Sequence, residues 1–308
     1  MPQKILVVGA TGLLGRPVAH RLLADGFQVR VLARSPDKAR QMLGEGFEIV
    51  QGDVTRPQTL DRTVEGCYGV HVSLRGGFGA EEAEQIEHHG TINVVRAAGT
   101  GGVRRLTYLS GAGSFEENKW FPSVRAKLAA EAAIRASGVP FTIFCPTHFM
   151  ESLPLYVRRG RAMILGRQPH GLHFVAARDF ARMVSRSFSV PEAAGKRLYV
   201  FGPEAMTMRA ALEAYGGAQT PRVKVSSAPI WLVSLFGTVT RKAEAIFAAD
   251  LFRFFSLTGE RGDPTQANEL LGAPTTTLVD WLVMGASDPG TRLRAVLPSG
   301  YLDRRSAD

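Results

Sequence analysis

Residues 4–15 read Lys-Ile-Leu-Val-Val-Gly9-Ala-Thr11-Gly12-Leu13-Leu14-Gly15. An apolar, β-branched run ends in three glycines at three-residue intervals. A helical pattern follows at once, beginning near Leu13, with Val18, Leu22 and Leu23 on one face and a stop at Asp25-Gly26. The context gives the motif its specificity, because an ordinary strand-to-helix turn needs one glycine and not three in fixed register. Gly9 allows a tight exit from the strand, Gly12 lets backbone N–H groups approach a pyrophosphate, and Gly15 lets the helix start close to the sheet. Thr11, Leu13 and Leu14 complete a turn whose helix N-terminus suits an anion. The expected ligand is a dinucleotide.

Outward from this turn, short β-branched runs alternate with longer helical patterns. Strands are predicted over 4–8, 28–33, 48–51, 69–73, 105–109 and 141–144, and helices over 37–43, 57–65, 81–98 and 123–137. This is the pattern of a doubly wound parallel α/β sheet, a Rossmann core, over residues 1–150. After Pro146 the alternation weakens into an apolar pair at 174–175, a helix over 178–188, a strand over 197–201 and a helix from Thr207. Residues 151–308 are therefore expected to form a smaller C-terminal α+β substrate or partner lobe that returns elements to the core sheet. Amphipathic helices over 233–255 and 276–283 would cover a pocket or form a homodimer face. Asp179 reads as a helix N-terminal stabiliser, and the tail from Ser287, rich in arginine, glycine and proline, as partly disordered.

The end of the second strand separates the two common dinucleotides. NAD is usually held there by a carboxylate on the ribose 2′-hydroxyl, but this chain reads Val31-Leu32-Ala33-Arg34-Ser35. Arg34 offers a planar fork to a 2′-phosphate and Lys38, one helical turn on, adds a point charge, so NADP(H) is favoured over NAD(H). The plain alternative for Arg34 is a solvated surface residue. Asp53, after the third strand, either meets the adenine amino group or serves an ordinary turn.

Lysine and arginine outnumber aspartate and glutamate by 37 to 28, a formal charge of +9, which suits an anionic ligand or an acidic surface. The denser stretch Arg158, Arg159, Arg161 and Arg167 has no aromatic interleaving and no nucleic-acid motif, so no nucleic-acid partner is expected. No run reaches the roughly 20 apolar residues of a spanning helix. Residues 229–237 are nonetheless conspicuously apolar, which leaves peripheral membrane contact open. Cys67 and Cys145 lie in or beside apolar runs and read as small buried hydrophobes. With a first strand that starts at once and no export signal, a cytoplasmic location is expected. His88 and His89 have Glu84 and Glu87 nearby, but adjacent helical residues should face different directions, and no metal site is expected.

Taken together, these stretches resemble the short-chain dehydrogenase/reductase superfamily in its atypical, NmrA-like branch. The marks are the Gly9 to Gly15 turn, Val-Leu-Ala-Arg34-Ser-Pro-Asp-Lys38, Gly52-Asp53, Leu109-Ser110-Gly111, Ser137-Gly-Val-Pro-Phe-Thr142 and Pro146-Thr-His148-Phe149-Met-Glu151, spread over residues 3–205. The resemblance implies a Rossmann core with a small substrate lobe, and a cofactor bordered by Val54, Ser73, Ser110, Lys127 and Pro146 as well as by the glycine turn. His148 and Phe149 would line the substrate pocket.

Reductases of the superfamily usually carry a Tyr-x-x-x-Lys pair, and here the matching stretch is Ser123-Val124-Arg125-Ala126-Lys127. The lysine is present and the tyrosine is not. A serine hydroxyl is too weak an acid to replace a phenol, and Ala112 stands near the place of the usual upstream serine. Two readings stay open. In the first, Lys127 holds the nicotinamide ribose and exchanges the proton, as proposed for phenylpropanoid and isoflavone-type reductases, with His148 assisting. The protein is then an oxidoreductase of a small apolar carbonyl, quinone or enone. In the second, Lys127 only holds the ribose and the protein reports NADP(H) redox state to a regulatory protein partner, in the manner of NmrA-type regulators. A sugar-nucleotide epimerase or dehydratase is weakened by the missing tyrosine.

Overall fold

A computed structural model describes residues 2–287; beyond Ser287, the arginine-rich tail expected to lack order lies outside the described residues. The chain opens with β1 (Lys4–Val8), α1 (Gly15–Ala24), β2 (Gln28–Ala33), α2 (Pro36–Leu43) and β3 (Phe47–Gln51). It continues through a 3₁₀ turn (Pro57–Thr59), α3 (Asp61–Val64) and β4 (Gly69–Val72). A composite helix follows: α4 (Ala80–Glu82), a π-helical segment (Ala83–His89) and α5 (Gly90–Thr100). β5 (Arg105–Leu109), α6 (Pro122–Ala136) and β6 (Phe141–Pro146) complete the first half.

The second half contains β7 (His148–Phe149), β8 (Val157–Arg158), β9 (Arg161–Leu165), β10 (Gly171–Val175) and α7 (Ala177–Ser187). After them come β11 (Lys196–Val200), β12 (Ala205–Thr207), α8 (Met208–Gly217), β13 (Lys224–Ala228), α9 (Ile230–Thr240), α10 (Ala243–Leu257), α11 (Thr265–Leu271) and α12 (Leu278–Ser287).

Seven strands form one parallel sheet in the order β11-β6-β5-β4-β1-β2-β3. The chain reverses direction of travel across the sheet at β1, whose neighbours are β2 and β4. That is the switch point at which such sheets leave a crevice beyond their carboxyl ends. Strands covered on both faces read as continuous apolar runs, and Ile5, Leu6, Val7 and Val8 are all buried accordingly. Ile5 and Val7 join one core with α1 and α7, while Leu6 and Val8 join the other with α5 and α6. A third core binds the lobe, where two small sheets, β12-β10-β7 and β13-β9-β8, pack with α8, α10 and α12.

Several sequence expectations are corrected by packing. The helix over 57–65 is two short pieces, the helix over 81–98 contains a π segment, and the helix over 233–255 is broken into α9 and α10. The break falls at Arg241, which is left-handed with φ 52°. Gly237 lets α10 fold back this closely, since a Cβ there would lie 2.9 Å from the Ile246 side chain. Asp179 does not act only within its own helix: its Oδ2 accepts the Thr275 and Thr276 N–H groups at 2.9 and 2.8 Å and so fastens the approach to α12.

Buried charges secure other helix ends. The Arg30 guanidinium, which strand alternation alone would not assign, donates to the Thr63 and Glu65 carbonyls at 3.0 and 2.7 Å and pairs with Glu48. Glu151 accepts the Ala177 N–H at the start of α7 at 2.9 Å and the Trp281 indole N–H of α12 at 2.8 Å. Burial, only partly offset by these donors, pushes its carboxyl up to about 7. A carboxyl that is harder to ionise folded than unfolded contributes stability that is full below its unfolded value and is lost as pH rises through about 7. With Trp120 and Trp231 replaced by phenylalanine, Trp281 emission is expected to titrate near neutrality, and Glu151→Gln should flatten that transition. A transition in the ordinary carboxylate range would contradict the burial effect.

Candidate functional site

The three glycines meet at one crowded point. Gly9 has φ +90°, and a Cβ there would lie 2.2 Å from the Ser73 carbonyl oxygen at the end of β4. A Cβ on Gly15 would lie 2.2 Å from the Gly9 carbonyl oxygen, and Gly12 donates its N–H to that same oxygen at 2.9 Å. The turn therefore sits tight against the switch point, with Ser73 on its far side and Ala10 buried beneath. Thr11, Leu13 and Leu14 are partly exposed around it, and Gly12 is exposed. Leu14, the N-cap of α1, offers no side-chain oxygen, and the first turn holds no acid. The first-turn amides thus lack a side-chain acceptor, and a pyrophosphate fits the place.

Arg34 and Lys38 are exposed at the end of β2 and along α2. Asp53 closes its own turn, with Oδ1 accepting the Thr55 N–H and hydroxyl, both at 2.9 Å. Burial pushes that carboxyl up, but the Thr55 hydrogen bonds and the nearby charges of Arg34 and Arg56 outweigh it and hold the group below its ordinary value. Val54 is buried against Gly90 and its carbonyl accepts the Asn93 amide at 2.8 Å. Pro146 is buried at the end of β6, its carbonyl accepting the Ala112 N–H at 2.8 Å.

Lys127, on α6, directs its ammonium to Glu87 Oε2 at 3.3 Å and to the Leu109 carbonyl at 3.4 Å, over the edge of the site. Glu87 is buried, and its Oε1 also accepts the Gly76 N–H at 2.9 Å and the Ser123 hydroxyl at 3.4 Å. Lys127 is thus held by Glu87, a carboxylate whose place in the sequence associates it with His88 and His89 and not with the lysine. The signal was available: Glu87, Thr91, Val94 and Ala98 lie at helical spacing on the buried face, and a charge on such a face needs a partner. Ser123, standing where the family tyrosine would be, is turned to the same carboxylate.

Two of the expected site residues turn their side chains to protein partners. The Ser110 hydroxyl is buried and donates to Glu131 Oε1 at 2.5 Å, and Glu131 in turn pairs with Arg197 at 3.0 Å. Its side chain serves that buried network, so what Ser110 can offer a cofactor is its backbone. Phe149 is buried in the main core, 5.4 Å from the Phe180 ring. Strand alternation sends consecutive residues of β7 to opposite faces, so His148 looks into the lobe and Phe149 does not line it.

The His148 ring packs 5.2 Å from both Phe174 and Phe255, with Nε2 3.3 Å from the Tyr156 hydroxyl. Burial pushes the imidazole down to about 4, so it is neutral at physiological pH. From it an arc of aromatic rings extends through Phe255 and Phe254 to Phe121 and Phe247, ending at Phe78. Phe254 presses on Gly113, where a Cβ would lie 2.4 Å from its ring. The arc therefore spans from the loops after β4 and β5 to α10 of the lobe.

His88 and His89 do not point apart. The wider π turn stacks their rings 4.6 Å apart, and Glu84 Oε1 lies 2.6 Å from His88 Nδ1 and 3.6 Å from His89 Nε2. The three could hold a metal ion, but the close His88 contact is that of a hydrogen bond.

The crowding at Gly9 sets a test. Gly9→Ala should lower stability by roughly 2–4 kcal/mol, because both the positive φ and the backbone contact are violated. Gly12→Ala, whose Cβ would meet only the Gly9 oxygen at 3.1 Å, should melt close to wild type yet lose affinity for dinucleotide. Thermal unfolding and calorimetric titration measure the two effects; unchanged binding by Gly12→Ala would remove the turn from the site.

Comparison with known proteins agrees with this geometry. The sequence profile of the NAD(P)H-binding family matches residues 9–187. The chain is 34% identical over 208 residues to (4-alkanoyl-5-oxo-2,5-dihydrofuran-3-yl)methyl phosphate reductase of Streptomyces griseus, covering 67% of this chain and 70% of that one. It is 23% identical over 240 residues to the photosystem II assembly factor Ycf39 of Trieres chinensis, covering 76% and 75%. Its fold is that of Citrobacter triphenylmethane reductase, solved with NADP(H), at a TM-score of 0.72 and 20% identity over 91% of this chain and 99% of that one. A glycine turn at the switch point of a seven-stranded parallel sheet, a lysine of α6 that reaches the end of β5 and a profile match over more than half the chain place this protein in the NAD(P)H-binding family.

Proposed function

We propose that the protein is an NADP(H)-dependent reductase acting on a small, apolar, conjugated acceptor: a carbonyl, quinone or enone. The observation that carries this reading is the aromatic arc from Phe78 to His148, built from the segments that follow β4, β5 and β6 together with α10. Flat conjugated acceptors stack on such rings. A nicotinamide bound at this end supplies the hydride.

The chain's own groups divide the remaining work. Arg34 and Lys38 hold a 2′-phosphate and so favour NADP(H) over NAD(H). Lys127, positioned by the buried Glu87, holds the nicotinamide ribose and offers a positive charge to an acceptor oxygen that gains negative charge. His148, being neutral, orients an acceptor with Tyr156 and does not donate a proton from a charged ring. In this reading the core up to about residue 150 binds cofactor and the lobe selects the acceptor. The setting is a reducing cytoplasm, in keeping with two buried thiols, of which burial pushes Cys145 up to about 12.

One observation favours a second reading. Ser123 and Lys127 are both drawn to Glu87, and the phenol nearest the lysine, Tyr108, whose ring centre lies 5.9 Å from the ammonium, is buried and held well above its ordinary value by that burial; both features suit a protein that senses cofactor redox state for a partner. The assembly-factor relatives support the same alternative.

Single-turnover oxidation of protein-bound NADPH by a panel of quinones and enones tests the proposal. Turnover with at least one acceptor, slowed by roughly tenfold or more in Lys127→Met, is expected. Oxidation no faster than in buffer for the whole panel would favour the sensor. Arg34→Ala should lower the preference for NADP(H) over NAD(H) by about tenfold, the loss of one charge-assisted contact; an unchanged ratio would move the phosphate elsewhere.

A further inference from the structure

We infer that α9 is a docking ridge for an anionic lipid surface. No helix among the described residues is long and apolar enough to cross a membrane, and α9 has only 11 residues. Its outward side is nevertheless apolar. Trp231 and Val239 are 66% and 74% exposed, and Leu232, Leu235 and Phe236 are about half exposed. At 100° per residue these five side chains fall within an arc of about 140°. They form one continuous stripe, while Gly237 on the opposite side is buried against α10. A soluble surface seldom gathers large apolar groups in this way without a use.

The charges bordering the stripe identify the occupant. The helix ends at Arg241-Lys242, and the Lys242 ammonium lies 5.3 Å from the centre of the exposed Phe236 ring. Beside that end stands the β8–β9 hairpin, because Arg158 approaches Glu244 of α10 at 3.9 Å. Arg159 and Arg161 follow in the hairpin, and Lys224 pairs with Arg161 across the adjoining strand. All six cations are exposed, and Glu244 is the one acid at this contact. A convex apolar ridge with cations at its edge matches the boundary between headgroups and acyl chains of an anionic bilayer, where apolar insertion and charge attraction add. A protein partner would need a groove shaped to receive the ridge, and a second copy of this chain would bring like charges together.

This inference does not depend on turnover, and its test is separate. The full chain is floated with vesicles of phosphatidylcholine alone or of phosphatidylcholine with phosphatidylglycerol, at low and high salt. The wild type should rise with the anionic vesicles, less so in salt. Leu235→Glu with Val239→Glu should cut the bound fraction at least about tenfold while melting like the wild type. Should that variant fold poorly, the wild type itself reports through Trp231: its emission should shift to the blue on adding anionic vesicles and be quenched by brominated acyl chains, and the shift should vanish in Trp231→Phe. Equal binding to neutral vesicles, no flotation, or a lipid-free dimer that the double variant dissociates would each overturn the inference.

Discussion

Gly9 is the constraint on which the rest of the molecule depends. Three chain segments converge on it: the end of β1, the start of α1 through Gly12 and Gly15, and the end of β4 through Ser73. No side chain larger than hydrogen fits at Gly9 or Gly15 without moving backbone, because the nearest obstacles at 2.2 Å are carbonyl oxygens and not flexible side chains. The result is a helix N-terminus held at the switch point of the sheet with its amides turned outward. The position of the ligand follows from backbone geometry, and the side chains then decide which ligand and what becomes of it.

That division of labour explains the placement of the buried charges. Glu87 reaches the site from a π turn, holding Gly76, Ser123 and Lys127 at once. Its second oxygen has the ammonium for a charge partner but no well-aligned hydrogen bond among the described residues. Removing one member of such a group would leave a charge buried and unpaired, a costly state, so the cluster behaves as a unit. Glu131 and Arg197 do the same for the loop after β5, drawing in the Ser110 hydroxyl. The lobe is tied on by Glu151 and Asp179, which between them hold the segments leading into α7 and α12.

What was legible in the sequence follows from the range of the interactions involved. β1, β2 and β5 are legible to the residue, since period and composition are local, and the glycine turn is legible because three glycines within seven consecutive residues carry it. The lobe is less legible: β7, β8 and β12 are only two or three residues long, and apart from the β8–β9 hairpin its strands pair with segments distant in the chain. The break between α9 and α10 depends on Ile246 meeting Gly237, a contact that helical periodicity does not contain. Phe149 was misplaced for want of knowing which way β7 faces, and His88 and His89 because a π turn changes the angle between neighbours. Ser110 was legible as a strand-end residue, but its partner Glu131 is on another element.

The central claim is that a dinucleotide lies across the Gly9 to Gly15 turn with its nicotinamide facing the aromatic arc. A crystal structure of the protein with NADP⁺ tests it most directly. The expected complex has pyrophosphate oxygens on the amides around Gly12 to Leu14, the 2′-phosphate on Arg34, and the nicotinamide ribose at Lys127 with its ring toward Phe121, Phe254 and His148. A cofactor bound elsewhere, or a nicotinamide turned away from that arc, would contradict it.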